Sequence, residues 1–93
     1  MTDDDRTELR TAAETLVEVR DGVSHDETAE RIDTFADQLR SMADANRGPD
    51  HGRLDRLMHN LREVADELDE ESAEDVRSAL EHVRSYRETV EGV

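Results

Sequence analysis

Asn46-Arg47-Gly48-Pro49-Asp50-His51-Gly52-Arg53 holds the only proline of the chain and two of its four glycines. Proline lacks a backbone N–H and fixes its own φ, while glycine accepts turn conformations, so the stretch ends one helical pattern and opens another. It divides a single domain of 93 residues into a hairpin over 4–45, a loop over 46–53 and a second hairpin over 54–91. Asp50 is the expected N-cap of the helix that follows.

Working back from the loop, Ala29, Ile32, Phe35, Ala36, Leu39, Met42 and Ala43 recur in steps of three and four. That spacing predicts a helix from about His25 to Ala45, with Glu30, Asp33, Asp37 and Asp44 on its opposite face. Ser24-His25-Asp26-Glu27 before it reads as a capping box, in which Ser24 bonds the amide of Glu27 and Glu27 reaches back. Leu9, Ala12, Ala13, Leu16, Val19 and Val23 predict a first helix from about Asp4 to Asp21, its stripe widened by Val17 and broken by Gly22.

Forward of the loop, Leu54, Leu57, Leu61, Val64 and Leu68 form a heptad-like seam. Asp69-Glu70-Glu71 closes the turn and Ser72 reads as the next N-cap. A fourth helix follows on Val76, Ala79, Leu80, Val83, Tyr86 and Val90, up to Gly92. Laying Ser24 on Ser72 gives an offset of 48 at which Leu9 meets Leu57 and Ile32 meets Leu80, a match that a hairpin duplication gives but that any two amphipathic hairpins of similar length, aligned on a cap, give equally. Short connections within each hairpin force antiparallel neighbours, so the fold class is all-α, a four-helix antiparallel bundle. The rival is a pair of long hairpins that complete their core only by dimerisation, because a chain this short buries about 65% of its unfolded surface.

Hydrophobic residues make up 33% of the chain and nine of them are alanine, so bulky core formers are few. Val17 and Met58, displaced to helix flanks, are the candidate interface residues for a homo-oligomer or protein partner. Charge is the other bound: 26 acidic residues oppose 12 basic ones, every one of them arginine, for a net of −14. The acids are spread through periodic segments and do not form a block, which argues for a folded chain over a disordered acidic one.

The lysine-free, acid-rich surface resembles that of proteins adapted to concentrated salt. The segments Arg47-Gly48-Pro49-Asp50-His51-Gly52-Arg53-Leu54 and Tyr86-Arg87-Glu88-Thr89-Val90-Glu91-Gly92-Val93 resemble those of a family of short, acidic, helical haloarchaeal proteins of unknown function. The resemblance covers the whole chain and implies a halophilic setting, but brings no activity or catalytic residues with it. At a few molar salt the Debye length shrinks to roughly 2–3 Å and long-range repulsion largely vanishes. In dilute buffer the same charge destabilises the compact state. Partial unfolding at low salt and full helicity in concentrated potassium chloride are expected, and circular dichroism across a salt series checks this.

Absence of cysteine excludes disulfides and thiolate chemistry. No apolar run approaches the ~18 residues of a membrane span, and Met1-Thr2-Asp3-Asp4-Asp5 is unlike a signal peptide, so a cytoplasmic protein is expected. Two aromatic residues give no stacking platform, and the acid excess opposes phosphate-backbone binding, so nucleic acid is not an expected partner. Carboxylates spaced like phosphates would instead mimic nucleic acid.

Chemistry concentrates at one predicted bundle end, where Arg6, Arg47, Asp50, His51, Arg53, Tyr86 and Arg87 come together. Arg47, His51, Arg53, Tyr86 and Arg87 are the candidate anion-binding residues, with bidentate guanidiniums and a tunable imidazole. Against this, the arginines have many carboxylates to pair with. Arg87 in particular falls inside the apolar stripe of helix four and must snorkel or meet an acid. Arg20 poses the same question, with Glu27 or Glu30 as expected partners. His51, Asp55, His59 and Glu63 follow at four-residue steps but face solvent, and no metal, cofactor or catalytic residue is assigned. The expected function is therefore non-enzymatic, through protein contacts or self-association. The alternative is capture of a small anion at the arginine-lined end.

Overall fold

The computed structural model describes residues 6–45 and 51–89. Arg47, Gly48, Pro49, Asp50 and Val90, which carry several of the expectations above, lie outside the described residues. Four helices account for nearly all that is described: α1 (Thr7–Gly22), α2 (Asp26–Asp44), α3 (His51–Glu67) and α4 (Glu70–Thr89). Among the described residues there is no strand.

Hydrophobic spacing decides the architecture. Each helix offers one apolar stripe, and Leu9, Leu16, Ile32, Leu39, Leu54, Leu61, Val76 and Val83 from the four stripes are completely buried in one core. Such burial is worth roughly 1.5–3 kcal/mol for each large aliphatic side chain relative to exposure. No polar or charged residue is buried among the described ones. The molecule measures 43 × 19 × 18 Å, and the cross-section suits a two-by-two array of helices whose axes stand about 8–10 Å apart. The all-α bundle is thus the observed fold. α1 packs on α2 and α4, α3 packs on α4, and α2 and α3 touch over little of their length.

The caps differ from expectation. α2 starts at Asp26 after His25, whose side chain makes no capping bond, so Ser24 and Glu27 do not form a capping box. The reason is the turn: Val23 and His25 are both extended, which carries the chain across to the next helix and leaves Glu27 at the second helical position, where the box needs the third. Asp26 and Glu27 instead act as first-turn acids that complement the helix dipole. Ser72 is not the cap of α4 either. Asp69 holds that position, its Oδ1 accepting the amide of Ser72 at 2.9 Å.

With the caps at His25 and Asp69, the offset at which the two hairpins match also moves. Leu9, Ala12, Ala13, Leu16 and Val19 of α1 stand 45 positions before Leu54, Leu57, Met58, Leu61 and Val64, all buried. Ile32, Phe35, Leu39 and Met42 of α2 stand 44 before Val76, Ala79, Val83 and Tyr86, again all buried. The offset of 48 was about one helical turn too long, and it laid buried Val19 on exposed Glu67.

Met58 is only 7% exposed and belongs to the core, and half-buried Val17 packs against it. Met58 is therefore not a displaced flank residue open to a partner. α3 contributes a wider stripe than its leucines alone suggest, with Met58 and Ala65 beside them.

Candidate functional site

The end of the bundle that gathers α1, the close of α2, the start of α3 and the close of α4 is organised by unpaired backbone groups. The last carbonyls of a helix lack partners within it, and the helix dipole makes that end negative. α2 has no basic residue in its last turn. Cations at the start of α1 supply the need: the guanidinium of Arg6, the residue before its first turn, donates to Met42 O at 3.2 Å and also to Ala43 O and Ala45 O. Arg10 adds bonds to Ala43 O at 3.3 Å and to Asp44 at 3.2 Å. Both arginines are engaged in holding α1 to α2.

The second hairpin carries the same contact with its charges exchanged. Arg87 of α4 meets Asp55 of α3: Nη2 donates to Oδ2 at 3.3 Å, and Nε lies 2.7 Å from Oδ1. That Nε is buried and makes an ion pair there without the angle of a hydrogen bond. Tyr86 is completely buried, so it is a core residue and offers no surface to a ligand. His51 is the first residue of α3 and is half-buried. The structure therefore does not bring Arg53, Tyr86 and Arg87 into one patch. Tyr86 lies in the core, Arg87 turns to Asp55, and Arg53 turns the other way, toward α2. Arg47 lies outside the described residues.

At the far end, Arg20 bonds Asp21 and Asp33, the latter at 2.7 Å, and not Glu27 or Glu30. Glu30 lies on the same flank of α2 as Asp33 and lines one pocket with it and Arg20, but Asp33 is the one that reaches the guanidinium. The hydrogen bond to Asp21 and the charge of Asp33 raise the Arg20 pKa above the ordinary arginine value, against a smaller opposing effect of burial. Arginine is protonated throughout the physiological range, so the shift makes no switch, and the tie between α1 and α2 here is the Arg20–Asp33 ion pair. Of the four-residue series on α3, His59 pairs with Glu63 at 3.2 Å and Asp55 with Arg87. No cluster of three metal-ligating side chains occurs among the described residues.

The chemistry that sequence reasoning missed lies between α2 and α3. Where these helices part, a cleft of about 130 Å³ opens, lined by Gln38 and Met42 from α2 and by Arg53, Arg56, Leu57 and Asn60 from α3. Met42 and Leu57 are almost fully buried and make an apolar floor. Arg53 and Arg56 stand three residues apart, and Asn60 follows four later, so all three share one flank of α3. Two guanidiniums and two amides line this cleft, and among the described residues no carboxylate does. Arg53 was visible in the sequence as a candidate. Arg56, Gln38 and Asn60 were visible only as a three- and four-residue spacing with no indication of what it faced. A second unforeseen contact joins α1 to α4, where Glu8 lies 2.6 Å from His82 Nδ1 across 74 positions of sequence.

A model of a family of unknown function, DUF7553, matches residues 4–89, and the chain belongs to that family. No match to the chain was found among curated proteins or among solved structures. No helix among the described residues is long and apolar enough to cross a membrane.

Proposed function

We propose that this DUF7553 protein is a non-enzymatic binding protein that holds an anionic group, a carboxylate or a phosphate, in the cleft between α2 and α3. One observation carries the reading: in a chain with 26 acidic residues, this cleft is lined by two arginines and two amides with no acid among the described residues. Guanidiniums bind carboxylate and phosphate oxygens through paired, charge-assisted bonds, and the amides of Gln38 and Asn60 add neutral donors. The apolar floor of Met42 and Leu57 lowers the local dielectric and strengthens each bond.

The acid-rich, lysine-free surface fits adaptation to concentrated salt, and the cleft suits that setting. Salt at molar strength screens attraction beyond a few ångströms but leaves direct contact largely intact. Self-association has less support in the fold, since Met58 lies in the core and Val17 packs upon it.

Inorganic phosphate, titrated into isotope-labelled protein against chloride at constant ionic strength, tests the reading by amide chemical shifts. Saturable shifts at Gln38, Arg53, Arg56 and Asn60 are expected, and the double substitution Arg53→Gln and Arg56→Gln abolishes them. Shifts that are uniform over the surface and survive both substitutions refute the cleft as an anion site.

A further inference from the structure

Two side-chain amides meet across the open seam. Arg31 of α2 reaches Glu67 of α3 at 2.9 Å, and further along α2 Met42 shares the cleft with Leu57, so the two helices run antiparallel. Seven residues forward of Arg31 stands Gln38, and seven back from Glu67 stands Asn60, about two helical turns in each case. The two amides are therefore level with each other, and both line the cleft. Neither side chain makes a hydrogen bond among the described residues. Arg56 stands one turn before Asn60 on the same flank and has no ion pair among the described residues. Arg53 already has an interaction of its own.

An anion by itself uses only part of this lining. A carboxylate or phosphate accepts hydrogen bonds, so it draws on the guanidiniums and on the amide NH2 groups and leaves the two amide oxygens unmatched. Those oxygens call for donors on the same ligand. A hydroxyl donates to one amide oxygen and accepts from the facing NH2, which suits a pair of amides set level across a seam. An ammonium also donates, but it enters a cleft with two guanidiniums and, among the described residues, no carboxylate, so like charge disfavours it.

We infer that the cleft selects a small hydroxycarboxylate, its carboxylate on Arg56 and its hydroxyl groups between Gln38 and Asn60. The inference rests on the reading of the cleft as an anion site and names the ligand class of that site. With Arg53 engaged, the fork of Arg56 matches the two oxygens of a single carboxylate. The carbon chain lies on Met42 and Leu57. A space of about 130 Å³ is the share of roughly four water molecules at ~30 Å³ each, so an acid of roughly three or four carbons fills it.

Glycerate and propionate are three-carbon acids that differ by two hydroxyl groups, and alanine is propionate with an ammonium on its second carbon. Each is titrated into the isotope-labelled full chain at constant ionic strength, beside inorganic phosphate, and read by the amide shifts of Gln38, Arg56 and Asn60. Glycerate is expected to bind about tenfold or more tightly than propionate and alanine. Gln38→Leu and Asn60→Leu, neither at a core position, each bring the ratio of glycerate to propionate affinity down to about one, with helicity checked by circular dichroism at the same salt. Arg56→Gln weakens glycerate and propionate together, by about tenfold.

Equal affinity for glycerate and propionate in the parent chain, with saturable shifts from both, overturns the selection of hydroxyls while the anion site stands. A preference that survives both leucine variants overturns the assignment to the amides. Alanine binding as tightly as glycerate overturns the choice of hydroxyl over ammonium. No saturable response to any of the acids or to phosphate overturns the anion site and the inference together.

Discussion

Two seams join the hairpins, and they differ in the length of the side chains that line them. Between α1 and α4, Ala12 stands four residues after Glu8 and Ala79 three before His82, so each alanine shares a flank with one half of the Glu8–His82 bond. Both alanines are completely buried, and the helices pack closely there. Between α2 and α3 the facing flanks carry Arg31, Gln38, Arg53, Arg56, Asn60 and Glu67, and the helices barely touch. Side-chain size at the contact sets how near two axes come. The same bundle therefore has one seam where buried alanines beside Tyr86 let the helices pack closely and one held apart by long polar residues. Exposed chemistry collects at the second because an open seam keeps polar heads solvated while their stems rest on core residues.

The contrast can be broken most severely at Tyr86, which shares the α1-facing flank of α4 with His82 and is completely buried. Tyr86→Ala is expected to cost about 3–5 kcal/mol, read from the denaturant midpoint at fixed salt. A loss under ~1 kcal/mol contradicts a closed seam at that position. Ala12→Leu inserts volume between α1 and α4 and is expected to cost about 1–3 kcal/mol. Its counterpart Asn60→Leu, in the half-exposed wall of the other seam, is expected to stay within about 0.5 kcal/mol of the parent. Equal losses from the two substitutions erase the distinction between the seams. The smallest effect belongs to Glu8→Gln. Both members of that pair are more than a third exposed, so solvent screening limits the loss to about 0–1 kcal/mol in the same unfolding assay.

Much of the candidate site was hidden for a stated reason. Arg53 and Arg87 look equivalent in the sequence, each next to an apolar stripe at the same predicted end. Two positions separate Arg53 from Asp55, which is about 200° around a helix, so the two residues of α3 serve opposite seams. One faces α4 and neutralises Arg87, while the other faces α2 and lines a cleft. Arg6 and Arg10 were similarly absorbed by the carbonyl end of α2, a demand that no local pattern on α1 announces. The serines misled for a related reason. Ser24 and Ser72 both have the chemistry of a cap, but the turn between antiparallel helices chooses which residue occupies that position, and it chose His25 and Asp69.

By itself the sequence determined four amphipathic helices, their order, the break between hairpins and nearly every buried position, because three- and four-residue periodicity is a local property of one helix. Only the tertiary structure decided that Met58 is covered, that Glu8 meets His82, and that the seam between α2 and α3 stays open with Arg53, Arg56, Gln38 and Asn60 around it. Those outcomes depend on the rotation and separation of neighbouring helices. Rotation and separation come from the packing of all four stripes at once, so no single segment encodes them.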